Sequence, residues 1–366
     1  MNKIEKLIAE LCPQGVEFKE LGEVAKVLRG KRLTKKELSD NGEYPVFHGG
    51  LIPLGRYDKF NRKARQTMVI NTGSVGEVVW SGVDFWSSDG TFVVETPDNV
   101  DNKYLYYFLK TQEPYLKTQK REGGVPTIDR TAVEKLQIPL PPLAIQQEIV
   151  NILDKFTELE AELEAELEAR KKQYEHYRNE LMVSDKWLEV SLGEVCDVFT
   201  GGEAPANCIK GLEPNEIYKY PIFANGIEVY GFTDSYKINK DAVTISSIGA
   251  NTGAIYYRKA YFTPIIRLKV LVPKNDDLLS RYIFHYLSSI TISSKKSSVP
   301  NMNADDVKKI KIPIPPLEEQ NRIVVILDKF DALVNDISVG LPAEIKMRRQ
   351  QYEYYRNKLL TFEKAA

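Results

Sequence analysis

The sequence has little of what reactive chemistry usually needs. Its 366 residues include only three cysteines and three histidines. Cys12, Cys196 and Cys208 are an odd number, far apart, with no C-x-x-C pair, so neither a disulfide framework nor a zinc site is expected. His48, His176 and His285 stand near none of them in sequence and read as bystanders. No G-x-x-x-x-G-K-[ST] phosphate loop occurs, which argues against a motor. No run of 18 apolar residues is available to span a bilayer. The opening MNKIEKLIAELC is interrupted by Glu5, Lys6 and Glu10, where a secretory signal needs an unbroken apolar stretch, so a cytoplasmic protein is expected.

A large excess of one charge is missing as well: the net charge is −1. That balance hides a segregation. Residues 15–140 carry 19 Lys+Arg against 17 Asp+Glu, and residues 185–315 carry 16 against 14, whereas residues 143–182 carry 5 against 10. The acid is gathered in one stretch and the rest is slightly basic, so local patches decide whether a polyanion could bind. The length exceeds what a single core usually serves, so two domains are expected.

What is present is said twice. VPTIDRTAVEKLQIPLPPLAIQQEIVNILDKF at 125–156 returns as VPNMNADDVKKIKIPIPPLEEQNRIVVILDKF at 299–330, offset by 174 without a gap. QYEHYRNEL at 173–181 returns as QYEYYRNKL at 351–359. Upstream, LGEVAKV at 21–27 and YPVFHGG at 44–50 return as LGEVCDV at 192–198 and YPIFANG at 220–226. Two units are too few for a solenoid, so this is a duplicated module in which a variable block precedes a near-identical one.

The near-identical block reads as helix after its Pro-Pro pair. Apolar residues recur at intervals of three and four: Ile149, Leu153, Phe156, Leu159, Leu163 and Leu167 in one copy, Ile323, Leu327, Phe330, Val334 and Ile337 in the other. Such a stripe is a packing seam and needs a partner. A coil between two chains is possible, but duplication within one chain favours an intramolecular antiparallel pair. Gly340-Leu341-Pro342 should break the second helix.

The variable blocks alternate β-type runs (TMVINTGSVGEVVW, TFVVET; AVTISSIGANTGAIYY, IIRLKVLV) with turn signals, and each ends in an aromatic amphipathic helix, KYLYYFLK or RYIFHYLSS. Bases gather where loops are expected. The first block offers Lys26, Arg29, Lys31, Arg32, Lys35 and Lys36, then Arg56, Lys59, Arg62, Lys63 and Arg65, then Ser74, Lys117, Lys120 and Arg121. The second offers Thr200, Asn207, Asn225, Ser246, Asn251 and Thr252, with Lys295 and Lys296. Charged side chains hold phosphates, whereas amides, hydroxyls and arginines read base edges.

The duplicated IPLPPLAIQQEIVNILDKF and IPIPPLEEQNRIVVILDKF blocks, with their QYExYRN tails, resemble the specificity subunits of Type I restriction–modification enzymes, and the resemblance covers the whole chain. It implies an α+β protein with two pseudo-symmetric α+β target recognition domains separated by two long antiparallel helices forming a coiled coil. The recognition domains are expected at 1–140 and 184–314 and the helical spacers at 141–183 and 315–366. Each domain would read half of an asymmetric split site in double-stranded DNA. The helices would set the spacing and dock methylation subunits, two of them, which restriction subunits then join. Chemistry and cofactors (S-adenosylmethionine, ATP, Mg²⁺) would lie in those partners. The residues agree, since no Asn/Asp-Pro-Pro-Tyr/Phe tetrapeptide of an adenine methyltransferase occurs. A helix from Ile149 to Met182 would span roughly 50 Å, about fifteen base pairs. The second domain shows Phe262-Thr263-Pro264 in place of Ser87-Ser88-Asp89. The competing readings are a fused methyltransferase or nuclease and a coiled-coil scaffold that binds only protein.

Overall fold

The computed structural model describes residues 3–121, 124–211, 213–290 and 302–365. Two compact units result, one made of Met1–Leu163 with Ile345–Ala366, the other of Glu164–Glu344. The expected spacers are therefore not separate bodies, because their helices complete the cores of the units.

In the first unit four antiparallel strands lie in the order Lys26–Arg29, Thr91–Glu95, Gln66–Ile70, Val78–Ser81. The runs MVI at 68–70 and FVV at 92–94 are continuously apolar because both faces of this sheet are covered. On one face Met68, Ile70 and Val93 meet Phe47 and Phe85. On the other, Val69, Phe92 and Val94 meet the helix Asn102–Thr111 through Tyr104, Leu105 and Phe108. Asp101 caps that helix by accepting from the Lys103 and Tyr104 amides. A smaller sheet of Gly55–Tyr57, Tyr44–Phe47 and Trp86–Ser87 sits beside it, its last pair parallel.

The second unit repeats this plan with Cys196–Thr200, Lys269–Pro273, Ala242–Ile245 and Ile255–Arg258. Its smaller sheet runs Cys208–Lys210, Val229–Thr233, Tyr220–Phe223, Thr263–Pro264. The aromatic helix Ser280–Ser289 covers the main sheet.

In both units the Pro-Pro segment is anchored by a buried glutamine. Gln146 Oε1 accepts from the Asp101 amide, while its Nε2 donates to the carbonyls of Asn99 and Pro141. Gln320 does the same with the Leu279 amide and the Asp277 and Pro315 carbonyls. Two tyrosines repeat a second tie: Tyr104 Oη donates to the Pro139 carbonyl, Tyr282 Oη to that of Pro313.

The spacer helix Leu143–Leu181 is 39 residues long. The second copy is broken into Leu317–Asn335 and Leu341–Leu359, with the break at the expected Gly-Leu-Pro. The apolar stripe does more than form a seam. Ile149 and Leu153 are fully buried in the first unit's core, and Ile323, Leu327 and Val334 in the second's. The helix pairing itself is aromatic and intramolecular. In the first unit Phe156 stacks on Tyr355 at 5.6 Å and meets Tyr352 at 6.4 Å, while Arg349 pairs with Glu160 at 2.5 Å, so the two segments run antiparallel. In the second, Phe330 stacks on Tyr174 at 6.2 Å and Tyr177 at 5.5 Å. Each repeat's QYExYRN tail thus covers the other repeat's LDKF helix. Leu159 and Leu163 are half-buried, and Leu167 rests against the second unit's core. Ile337 departs from the expected stripe: it is 82% exposed, because the helix has already ended at Asn335.

The Asp of each LDKF motif grips the aromatic helix. Asp154 accepts from Tyr107 Oη and pairs with Lys103, whereas Asp328 meets His285 Nε2 and Arg281 Nε, both at 2.6 Å. His285 is fully buried, and burial lowers its pKa despite Asp328. A base with a depressed folded pKa takes up protons more readily when unfolded, so its stabilisation is present above its ordinary value of 6.5 and is lost as pH falls below it. The second unit should therefore soften below about pH 6.5, and His285→Tyr, which copies Tyr107, should flatten that dependence in thermal melts between pH 5 and 8. Melts with the same acid slope in both forms would discard this role.

Candidate nucleic-acid interface

The loop Arg29–Lys36 leaves the main sheet and is pinned to the segment Ser87–Asp89. The Lys31 amide donates to the Ser87 carbonyl, Leu33 N donates to Ser88 Oγ at 3.3 Å, and Trp86 Nε1 donates to the Lys31 carbonyl at 2.8 Å. A capping box follows, with the Thr34 amide and hydroxyl both donating to Glu37, which holds that carboxyl below its usual range. Pinning the backbone leaves the cations outside. Arg29, Arg32 and Lys35 line an open pocket of about 470 Å³ with His48, Leu54 and Asp89. Arg29 Nε donates to the Asp89 carbonyl, and Asp89, the one carboxylate lining the pocket among the described residues, is 3.4 Å from His48 Nδ1. Gly49 and Gly73 bring the neighbouring loops together: at Gly73, with φ +91°, a Cβ would lie 2.4 Å from the Gly49 carbonyl oxygen. Ser74, exposed on the same turn, donates its amide to that oxygen.

The other expected bases divide by partner. Lys31, Arg32, Lys35, Lys36, Lys59 and Arg65 are exposed, and no carboxylate among the described residues pairs with them. Arg56 donates to the carbonyls of Gly42 and Glu43 and so ties a turn. Arg62 is half-buried and 3.4 Å from Glu95, Lys63 is 3.1 Å from Asp84, Lys117 pairs with Glu77, and Arg121 with Asp129. Lys120 is exposed and engaged. These pairs neutralise much of the later clusters.

In the second unit the expected polar readers hold the loops instead. Asn225 is spent at both ends, its Nδ2 donating to the Ile266 carbonyl at 2.5 Å and its Oδ1 accepting from the Ser247 amide at 2.7 Å. Ser246 is fully buried, and its hydroxyl donates to the Asn225 carbonyl at 2.6 Å. Both thus brace the loop: Ser246 is enclosed with its hydroxyl committed, whereas Asn225 is half-buried. Asn207 donates to Asp234 at 3.3 Å, and Thr252 closes a turn on the Gly249 carbonyl. Thr200 and Asn251 are exposed. Lys295 and Lys296 lie outside the described residues.

What these clamps hold was not visible in the sequence. Trp86–Ser87 and Thr263–Pro264 both pair in parallel with the strand that begins at the repeated Tyr-Pro, and the next amide, of Ser88 or Ile265, donates to the carbonyl of Phe47 or Phe223. Thr263-Pro264 thus replaces Trp86-Ser87, and Ile266-Arg267 stands where Asp89-Gly90 stands in the first unit. Ile266 and Arg267 are both left-handed, with φ 51° and 58°. Lys269, in the position of Phe92, is 5% exposed. Its Nζ donates to Thr200 Oγ1 at 3.4 Å, and burial, with Arg267 nearby, lowers its pKa.

Among the described residues no cluster of His, Cys, Asp and Glu is arranged to hold a metal ion, and no helix is long and apolar enough to cross a membrane. A family model described as the Type I restriction modification DNA specificity domain matches residues 13–169 and again residues 184–347. The specificity subunit of the type I restriction enzyme EcoR124I/EcoR124II of Escherichia coli is 34% identical, over 100% of this chain and 98% of its own length. A putative type I restriction enzyme specificity subunit of Haemophilus influenzae is 30% identical over 95% of this chain and 96% of its own. The fold is that of the S subunit of a Type I restriction–modification system from M. genitalium, with a TM-score of 0.70 over 94% of this chain and 96% of that one, at 22% identity. With the specificity domain matched twice along one duplicated frame, the chain belongs to the specificity subunits of Type I restriction–modification systems.

Proposed function

We propose that each recognition domain reads one half of an asymmetric, bipartite site in double-stranded DNA, and that the chain itself performs no chemistry. Two methylation subunits dock on the helical blocks, restriction subunits join them, and S-adenosylmethionine, ATP and Mg²⁺ bind in those partners. The assembly works in the cytoplasm. The observation that carries this reading is a shared frame with unlike contact surfaces. Both units repeat the same four-stranded main sheet, aromatic helix and glutamine anchor, while the exposed loops differ in charge and residue type. Near-identical scaffolds with dissimilar loops suit two different sequences held at one distance. The 39-residue helix, about 58 Å at 1.5 Å per residue, suits that distance.

Methylome sequencing of a host with and without the gene tests the proposal: a split adenine-methylation motif should vanish with the gene, and a motif that persists would refute it. The loop cations give a finer test. Replacing Arg32, Lys35 and Lys36 with Ala should reduce the slope of log binding constant against log salt by about 2 to 3, since each phosphate contact adds about 0.9. Replacing Lys63 and Lys117, already paired with Asp84 and Glu77, should change the slope little. Equal effects of the two sets would remove the Arg29–Lys36 loop from the interface.

A further inference from the structure

We infer that Arg267 reads a guanine in the half-site gripped by the second recognition domain, its left-handed turn being held in place by the polar residues around it. The inference rests on the DNA-reading proposal and names the residue through which one domain would do it.

Two consecutive non-glycine residues in the left-handed region are uncommon, and a β-branched isoleucine there is a genuine outlier. Such backbone persists only where its surroundings impose it. Here they do so from several sides. Asn225 donates to the Ile266 carbonyl, Ser247 Oγ donates to the Arg267 carbonyl at 2.6 Å, and the Ile266 and Arg267 amides donate to the carbonyls of Gly202 and Gly201. Gly201 closes the loop by donating to Leu268, and a Cβ at Gly201 would lie 2.7 Å from the Ile265 carbonyl oxygen. Four hydrogen bonds, to Asn225, Ser247 and the carbonyls of Gly201 and Gly202, thus fix a two-residue turn whose side chains are both exposed.

What the turn presents is a cation. Arg267 is exposed, and no carboxylate or hydrogen-bond partner for its guanidinium is found among the described residues. Lys269 behind it is buried, and among the described residues its ammonium meets no acid and reaches Thr200 Oγ1 alone. Two cations without a counter-charge make a site that favours acceptor atoms. The corresponding place in the first unit is built differently: Asp89-Gly90 offers no cation of its own, and Asp89 lies beside His48 in a pocket lined by Arg29, Arg32 and Lys35. A phosphate contact needs charge alone and tolerates a mobile side chain. A rigid turn is better matched to base reading, where the planar fork of arginine meets the O6 and N7 acceptors of guanine together.

The test uses the full chain with its companion subunits in the host, read by methylome sequencing, and the purified complex with duplexes varied one base pair at a time. Arg267→Ala should lower the preference for one G·C pair in one half-site by about 5- to 150-fold and leave the other half unchanged. Arg267→Lys, which keeps the charge, should lose most of the same preference while keeping the wild-type salt slope, and both should melt near the wild-type temperature. Undiminished discrimination in Arg267→Lys, or a uniform loss over all base pairs in Arg267→Ala, would overturn the assignment and leave the DNA-reading proposal standing. A wild-type chain that directs no methylation motif would sink both.

Discussion

Deleting Ala161–Glu164 is expected to shorten the spacer of the modified DNA site by about two base pairs and to leave both half-sites as they are. The four residues contribute about 6 Å of helix, against about 3.4 Å per base pair. They lie between Phe156 and Tyr174, the residues through which the spacer helix meets Tyr352, Tyr355 and Phe330, so neither aromatic contact is removed. Leu163 is half-buried and its neighbours Ala161, Glu162 and Glu164 are exposed, so the deletion takes little from either core. Four residues also turn a helix by about 40° beyond one full turn, a change small enough for the partner segments to follow. Methylome sequencing of the deletion strain gives the answer directly, and an unaltered spacer would refute the idea that this helix sets the distance.

The second large effect concerns stability. Gln320→Leu should destabilise the chain by roughly 3–5 kcal/mol, and Gln146→Leu by a similar amount. Leucine has a similar bulk but leaves a buried proline carbonyl, a half-buried amide and a half-buried carbonyl without partners, each costing about 1–3 kcal/mol if water cannot reach it. Both glutamines are essentially buried, at 0% and 1% exposure, so rescue by solvent is limited. The loss should show as a lower denaturation midpoint with an unchanged denaturant slope. A substitution at the half-buried Glu319, one position earlier, should cost far less, since its carboxylate pairs only with the exposed Arg322 among the described residues. Equal costs at Gln320 and Glu319 would show that the anchor carries no special weight.

The duplication, the two aromatic helices and the break at Gly340 could all be read from the sequence, because each depends on periodicity or on local backbone preference. The full burial of Ile149, Leu153, Ile323 and Leu327 follows from the same stripe, although the surface they face does not. Ile337 misled because the spacing continued past a turn begun by Asp336, whose carboxylate accepts from the Ser338 amide and hydroxyl. The candidate contacts were harder. Exposure of the Arg29–Lys36 cations depends on backbone ties to Ser87 and Ser88, more than fifty residues away. Asn225 and Ser246 look like readers by composition and serve as braces, since the loops that partner them are about 20 and 40 residues apart in sequence and no local pattern announces their meeting. Arg267 gave no signal at all. The match between Ile266-Arg267 and Asp89-Gly90 exists only in hydrogen bonding, and the residues share no similarity.

The exchange of tails has a consequence for synthesis. Leu360 and the Tyr352 ring belong to the core of the first unit, and Val16 donates its amide to Glu363 while accepting from Ala365. A ribosome delivers residues 3–163 long before these arrive, so the first recognition domain to emerge is the last to be finished. The second closes sooner, from a continuous stretch of chain. A premature stop codon just before residue 345 would therefore injure the domain encoded at the far end of the gene from the lesion.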